Sequence, residues 1–167
     1  LHMVSAFSSE CRMVLAQEKV SDKSNEITAI PELLKKLELK GAIMTMDAMG
    51  SQKDIAAQIV DGGGDYVLAI KDNHPTLHKA MSEYFDQVHE KGCIESGVRH
   101  RRTSDAKHGR RENRHYYQAS IPESLKERTD SWKGAKSIST SSAPSERIAA
   151  FFSRLLPCGT TIKAGTP

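Results

Sequence analysis

The sequence predicts an α/β fold with a basic β-rich insertion, and three observations lead to that prediction. Apolar runs of strand length alternate with stretches in which apolar residues recur at helical spacing, a pattern typical of α/β domains. Positive charge is concentrated in one stretch that follows these units. The chain of 167 residues is long enough to bury one hydrophobic core.

The chain begins with a predicted hairpin and a predicted helix. Residues 3–7 (MVSAF) and 12–20 (RMVLAQEKV) are strand-like and are separated by a short polar stretch, which indicates a β-hairpin. Pro31 is expected in the first turn of the following helix, where its missing N–H costs nothing. That helix is predicted by apolar residues at helical spacing, namely Ile27, Ile30, Leu33, Leu34 and Leu37.

Two strand–helix units come next. Residues 42–46 (AIMTM) are predicted to form a buried strand that ends at Asp47, and the S-x-x-D pattern of residues 51–54 predicts a capping box at the start of a helix. Glycines 62–64 end that helix and precede a second buried strand, residues 65–70 (DYVLAI). The order of helix, glycines and strand excludes a phosphate-binding loop, which needs strand, glycines and helix.

A third helix follows the second strand. Asn73 or Asp72 is expected to cap it, with Pro75 in the first turn. His74 and His78 are four residues apart, but without the glutamate of a zinc-binding H-E-x-x-H motif they are interpreted as surface histidines rather than metal ligands. The buried face is predicted from the apolar stripe Leu77, Met81, Tyr84, Phe85 and Val88.

The basic stretch is residues 98–115, which hold seven lysines and arginines, two acidic residues and three histidines. Its net charge is +5, whereas the other 149 residues sum to −2. A local basic patch is the electrostatic footprint of a nucleic-acid partner, although a solvated charged loop or hairpin is the alternative interpretation. Residues 111–120 (RENRHYYQAS) predict one strand of an inserted β-element.

The C-terminal part gives weaker signals. Trp132 is a candidate apolar anchor, and residues 137–145 (SISTSSAPS) are predicted to be a loop. Residues 157–167 are expected to be unstructured. One short helix is predicted from Ile148, Phe151, Phe152, Leu155 and Leu156.

Composition excludes several classes of protein. No run of about 18 apolar residues is present, which argues against a membrane span. The three scattered cysteines fit a reducing cytoplasm better than a disulfide framework. The chain opens inside a strand-like pattern without a secretory signal, which indicates a fragment boundary.

Asp47 has two interpretations from the residues alone. Its side chain is suited to a turn. Alternatively, it is a functional carboxylate at the C-terminal end of a sheet strand, where open α/β sheets place their sites.

Six stretches in order resemble a known family: MVSAF, KSNEITAIPELLKKLELKG, MTMDAMGSQKDIA, DYVLAIKDNHPTLH, HGRRENRHYY and WKGAKSI. They are similar to bacterial insertion-sequence transposases of the H-repeat-associated branch, which are DDE transposases with an RNase H-like core. The resemblance covers about residues 1–138.

The resemblance implies a function for Asp47. In this family three carboxylates hold two Mg²⁺ or Mn²⁺ ions, which clamp the attacking and leaving oxygens of a phosphodiester. Asp47 matches the second carboxylate, which implies that it is catalytic and binds metal. Water first frees a 3′ hydroxyl, and that hydroxyl then attacks target DNA.

The chain also departs from the family pattern. The first aspartate of the family lies upstream of Leu1, and Glu146 does not match the setting of the family glutamate. We therefore expect a truncated RNase H-like core that lacks its first central strand. The alternative function is a catalytically inactive remnant that at most binds DNA or a transposase subunit.

The resemblance divides the chain into a partial core (1–91), a basic insertion (92–138) and a divergent, poorly ordered tail (139–167). It implies insertion-sequence ends and target DNA as partners, with a homodimer or a full-length transposase as protein partners. The expected location is the bacterial cytoplasm, at the nucleoid when DNA is bound. The candidate DNA-binding residues are Lys71, Arg99, Arg101, Arg102, Lys107, Arg110, Arg111 and Arg114.

The family fold also predicts strand neighbours. Its sheet order is 3-2-1-4-5, with residues 42–46 as strand four and residues 65–70 as strand five, paired in parallel. With the central position empty, two outcomes are expected. Either the opening hairpin moves across to pair with residues 42–46, or a gap persists beside them and the chain is unstable or prone to aggregate.

Overall fold

The computed structural model describes residues 2–20, 26–91, 97–107, 110–142 and 147–153, with backbone alone for 105–107, 110–112, 142, 147 and 148. Within these residues the fold is mixed α/β. The strands are β1 (Met3–Ser8), β2 (Met13–Lys19), β3 (Ile43–Met46), β4 (Asp65–Ile70), β5 (Arg99–Lys107), β6 (Arg110–Ser120), β7 (Ser137–Ser142) and β8 (Arg147–Phe152). The helices are α1 (Glu26–Lys35), α2 (Lys53–Asp61), α3 (Pro75–Lys91) and α4 (Glu123–Thr129).

The main sheet has the strand order β3-β4-β8-β7-β6-β5, and β1 and β2 form a separate antiparallel pair. Strands β3 and β4 pair in parallel, which confirms that prediction, and every other neighbouring pair is antiparallel. The opening hairpin does not move across to β3, so that alternative is wrong. Among the described strands, none lies beside the outer edge of β3.

The core lies where α3 covers the middle of the main sheet. Leu77, Met81, Phe85 and Val88 of α3 are buried, as predicted, because they recur on one helical face. Facing them are residues of the central strands, including the fully buried Phe151. No helix in the described part of the chain combines the length and the apolar content that crossing a bilayer requires.

Two predictions for the C-terminal part are wrong. Residues 137–142 are strand β7 rather than loop, and residues 147–152 are strand β8 rather than the start of a helix. Both strands are paired on both edges, so tertiary hydrogen bonding decides their conformation and not local propensity. The sequence also gave no indication of α4. The expected lack of structure in residues 157–167 lies outside the described residues, and the division into three segments stays a prediction.

Two further details differ from expectation. Residues 43–46 are not a buried strand, because β3 lies at the sheet edge and alternates exposed with half-buried side chains. Pro31 is the sixth residue of α1 and not in its first turn. The glycines lie between α2 and β4 as predicted, and Gly64 passes so close to Leu39 that a Cβ would lie 2.8 Å from the carbonyl oxygen of that residue.

Candidate active-site edge and nucleic-acid interface

Asp47 follows the last residue of β3 and is exposed. Its Oδ1 accepts a hydrogen bond from the Gly50 N–H at 3.4 Å, and its carbonyl oxygen accepts one from the Ser51 hydroxyl at 2.8 Å. The turn interpretation of Asp47 is therefore confirmed. It does not compete with the functional interpretation, because Oδ1 retains acceptor capacity and Oδ2 is a second acceptor.

The predicted capping box at the start of α2 is wrong. The helix begins at Lys53, and its N-cap residue Gln52 makes no side-chain capping bond. The Ser51 hydroxyl points back to the Asp47 carbonyl instead. Ser51 thus stabilises the turn that carries Asp47 and does not cap the helix.

Asn73 and His74 hold the same turn from the other side. The Asn73 amide nitrogen donates to the Ala48 carbonyl, while its Oδ1 accepts from the Lys71 N–H at 3.1 Å. His74 Nε2 lies 2.8 Å from the Ser51 carbonyl oxygen. Because a carbonyl only accepts, His74 Nε2 carries the hydrogen. Asn73 and His74 thus join the loop after β4 to the loop after β3, and we call these two residues the clamp. The sequence had predicted Asn73 as a helix cap.

Trp132 supports this clamp from the core. It is buried, its ring meets His74 edge to face at 5.1 Å, and it contacts Phe151 at 5.3 Å. The prediction of an apolar anchor is confirmed. The prediction that His74 and His78 are surface histidines is wrong, since both are half-buried.

Replacing His74 by alanine is expected to loosen the Asp47 turn. The Ser51 carbonyl loses its nearer donor and keeps only the Asn73 amide at 3.4 Å, which is expected to cost about 1 kcal/mol. Urea unfolding measures that loss, and amide hydrogen exchange at Ser51 reports the turn itself. The matched control is His2→Ala, at an exposed histidine, which we expect to change neither. Unaltered exchange at Ser51 in His74→Ala would contradict the clamp.

Asp47 and Lys71 lie at the same end of the sheet. They follow β3 and β4, which are parallel neighbours, so both come at the carboxyl ends of adjacent strands. Crevices at the carboxyl ends of parallel strands are where α/β proteins place their ligands.

The hairpin of β5 and β6 projects beyond this end of the sheet. Strand β7 runs in the same direction as β4, and its last residue, Ser142, pairs with His115 of β6. Residues 103–107 and 110–114 therefore extend past the sheet on the side of Asp47, by about 17 Å for five residues of strand. We call residues 99–107 and 110–118 the basic ribbon.

The structure does not bring Asp47 and the basic ribbon into contact. They lie at opposite edges of a six-stranded sheet, and five strand spacings amount to about 24 Å. The arginines are also divided between the ribbon faces, because neighbouring residues of a strand point to opposite sides. Arg99, Arg101 and Arg114 share one face, whereas Arg102 lies on the other, and the side chains of Lys107, Arg110 and Arg111 are outside the described residues.

A metal centre needs more than Asp47. Among the described residues, no group of three or more histidine, cysteine, aspartate or glutamate side chains is arranged to hold a metal ion. The residues that the structure describes thus do not supply a complete set of metal ligands around Asp47.

Comparison with known proteins identifies the family. The family model described as "Transposase DDE domain" matches residues 1–154. The chain is 42% identical over 144 residues to "H repeat-associated putative transposase YhhI" of Escherichia coli (strain K12), covering 83% of this chain and 36% of that protein. It is 45% identical over 141 residues to "Putative transposase YncI" of Escherichia coli O157:H7, covering 83% and 35%.

A third relative is "H repeat-associated putative transposase YbfD" of Escherichia coli (strain K12), 43% identical over 131 residues, with 75% of this chain and 48% of that protein covered. No solved structure matches the chain. The chain spans about a third to a half of the length of these relatives. With a family match over nearly its whole length, the chain belongs to the transposase DDE-domain family.

Proposed function

We propose that this chain is part of a DNA transposase and contacts DNA at the end of the sheet that carries Asp47. The observation that supports this most is the shared end of the sheet, where Asp47, Lys71 and the projecting basic ribbon all lie. This end of the sheet is about 24 Å wide from β3 to β5, so one DNA duplex lying across it would reach both Asp47 and the basic ribbon. The insertion-sequence ends and the target are the proposed DNA partners, with a second transposase chain as protein partner.

We further propose that the fold is an RNase H-like core with a basic insertion between residues 92 and 138. In this assignment β1, β2, β3 and β4 correspond to strands two to five of that core. The parallel pairing of β3 and β4 supports it. The interruption of the core after α3 by an antiparallel ribbon supports the insertion.

Asp47 is the proposed metal-binding carboxylate. Asp47 would hold Mg²⁺ or Mn²⁺ together with further carboxylates, and the metal would supply charge stabilisation at a phosphodiester. Asp47 supplies one carboxylate and holds it at the strand end through the turn described above. The contribution of this chain is thus the placement of one ligand, and no reaction step follows from the described residues alone.

A second candidate function is DNA binding without strand cleavage. It is favoured by the lack of a three-ligand cluster among the described residues. We expect no nicking when the chain is incubated with a DNA end and Mg²⁺ or Mn²⁺. Nicking that disappears in Asp47→Ala would contradict this candidate and favour a complete metal site.

Binding to unrelated duplexes tests the proposed function directly. Contacts with phosphates are independent of base sequence and release counterions, so affinity falls steeply with salt. We expect similar dissociation constants for two unrelated duplexes, and a decrease of affinity by at least tenfold between about 50 mM and about 200 mM salt. Fluorescence anisotropy measures both. Absence of binding at the lowest salt, or an affinity that salt does not change, would overturn the proposal.

A further inference from the structure

Two histidines form a hydrogen-bonded pair on the basic ribbon. His100 of β5 and His115 of β6 lie on one ribbon face, and their Nε2 and Nδ1 atoms are 3.0 Å apart. The ring planes differ by 9°, yet the ring centroids are 5.2 Å apart. Rings stacked face to face with so short a nitrogen contact would have closer centroids, so the two imidazoles lie side by side in nearly one plane.

The surroundings leave this pair open to solvent on one side. Tyr117 stacks on His100 with centroids 4.6 Å apart and planes within 11°, and it is buried. The ring of His89 in α3 packs edge to face against Tyr117, with ring centroids 4.4 Å apart. His100 is nevertheless exposed, so water reaches the ring face and edge that Tyr117 does not cover. Arg102, also exposed, is paired with His115 on this face.

The hydrogen bond between the rings fixes how protons are distributed. It needs one nitrogen with a hydrogen and one without. In the neutral pair, the outward nitrogens, His100 Nδ1 and His115 Nε2, therefore carry one hydrogen between them. Addition of one proton leaves the inner bond intact and gives both outward nitrogens a hydrogen. The pair then has a charge of +1 and presents two outward donors where it had a donor and an acceptor.

We propose that the His100–His115 pair is a phosphate-binding site that takes up one proton when a nucleic-acid phosphate binds. This inference rests on the proposed function, namely DNA binding by the basic ribbon, and adds to it a particular site and its proton linkage. A phosphate only accepts hydrogen bonds at neutral pH, so it favours the protonated pair with its two outward donors. Arg102 supplies a permanent charge beside that site.

The electrostatics of the free protein fit this linkage. The pKa of His100 is lowered by desolvation and then by the neighbouring His115 and His89. His100 in the free protein is thus reluctant to hold a proton, and an anion at the site reverses that preference. Because the bound state holds more protons than the free state, affinity for DNA rises as the pH falls from about pH 8 to about pH 6. The other groups that face the pair are Tyr117 beneath it and Arg102 beside it.

The test measures the pH dependence of duplex binding at constant ionic strength. We expect the dissociation constant of the wild type to increase with pH between about pH 6 and about pH 8, by up to about tenfold per unit for one linked proton. The double variant His100→Gln/His115→Gln is expected to lose most of this slope, since glutamine does not titrate. The matched control is His2→Gln, an exposed histidine on the opening hairpin, which should retain the slope.

Two further measurements separate the possible failures. Calorimetry of the wild type in two buffers with different ionisation enthalpies counts protons directly, without any substitution. Inorganic phosphate at matched ionic strength shows whether a free phosphate competes for the site or only the DNA backbone occupies it, and either result supports a phosphate site. Binding with an unchanged slope in the double variant, or with no proton uptake in calorimetry, would overturn this inference alone. Absence of DNA binding at every pH would overturn the proposed function as well.

Discussion

Replacing Trp132 by alanine is expected to remove about 3–5 kcal/mol of stability, the cost of deleting a large buried aromatic side chain. Trp132 is only 2% exposed and packs against Phe151 of the sheet. A domain of this size has roughly 5–15 kcal/mol in total, so this loss is a large share of its stability and the urea midpoint should fall markedly. Urea unfolding followed by circular dichroism gives the free energy from the midpoint and slope.

The same substitution is expected to reach the Asp47 turn. Trp132 packs against His74, whose imidazole donates to the Ser51 carbonyl. Hydrogen exchange at Ser51 should therefore accelerate even where the remaining protein is folded. Phe7→Ala is the control, because Phe7 is an aromatic residue that is 62% exposed, and truncation there should cost less than about 0.5 kcal/mol. Equal losses in the two variants would show that Trp132 does not anchor the core.

Removal of charge from the basic ribbon is expected to weaken DNA binding by about tenfold or more. Arg101 and Arg102 are exposed and point to opposite faces of the ribbon, so Arg101→Ala/Arg102→Ala removes a charge from each face. Each lost phosphate contact should lower the salt slope by about 1 and weaken unrelated duplexes alike. Arg110→Ala/Arg111→Ala is expected to act in the same way. Anisotropy titrations at several salt concentrations measure both quantities.

The control for this prediction removes two basic residues elsewhere. Lys79 of α3 and Lys126 of α4 are exposed and lie on helices outside the ribbon. Lys79→Ala/Lys126→Ala changes net charge by the same amount as the ribbon variants. Equal weakening by the control would mean that the total charge of the chain, and not the ribbon, governs binding.

Local periodicity predicted some of the fold well. The buried stripe of α3 follows from helical spacing, and the parallel pairing of β3 with β4 follows from the intervening α2. Strand β8 was missed because a short apolar run is compatible with helix or strand, and its position between β4 and β7 decides between them. The serine-rich sequence of β7 (SISTSS) resembles a loop, and only pairing with both neighbouring strands makes it a strand.

The candidate site was predictable only where a residue acts within its own segment. Asp47 could be identified as a candidate site residue because it directly follows an apolar run of strand length. The clamp was not predictable, because Asn73 and His74 bind carbonyls 25 and 23 positions away. The pairing of His100 with His115 depends in the same way on the register of two strands, which the sequence does not specify.

The central place of β8 determines when the protein acquires its structure during synthesis. Strands β3 and β4 leave the ribosome early and the ribbon with β7 later, but they join only through β8, which enters between β4 and β7. The bond from the Tyr66 N–H to the Ser153 hydroxyl, at 2.8 Å, spans 87 positions. Closing so long a loop is slow compared with local pairing. Until residue 152 is available, the edges of β4 and β7 that β8 later pairs stay uncovered, and the opportunity for misassembly lasts until β8 has been translated.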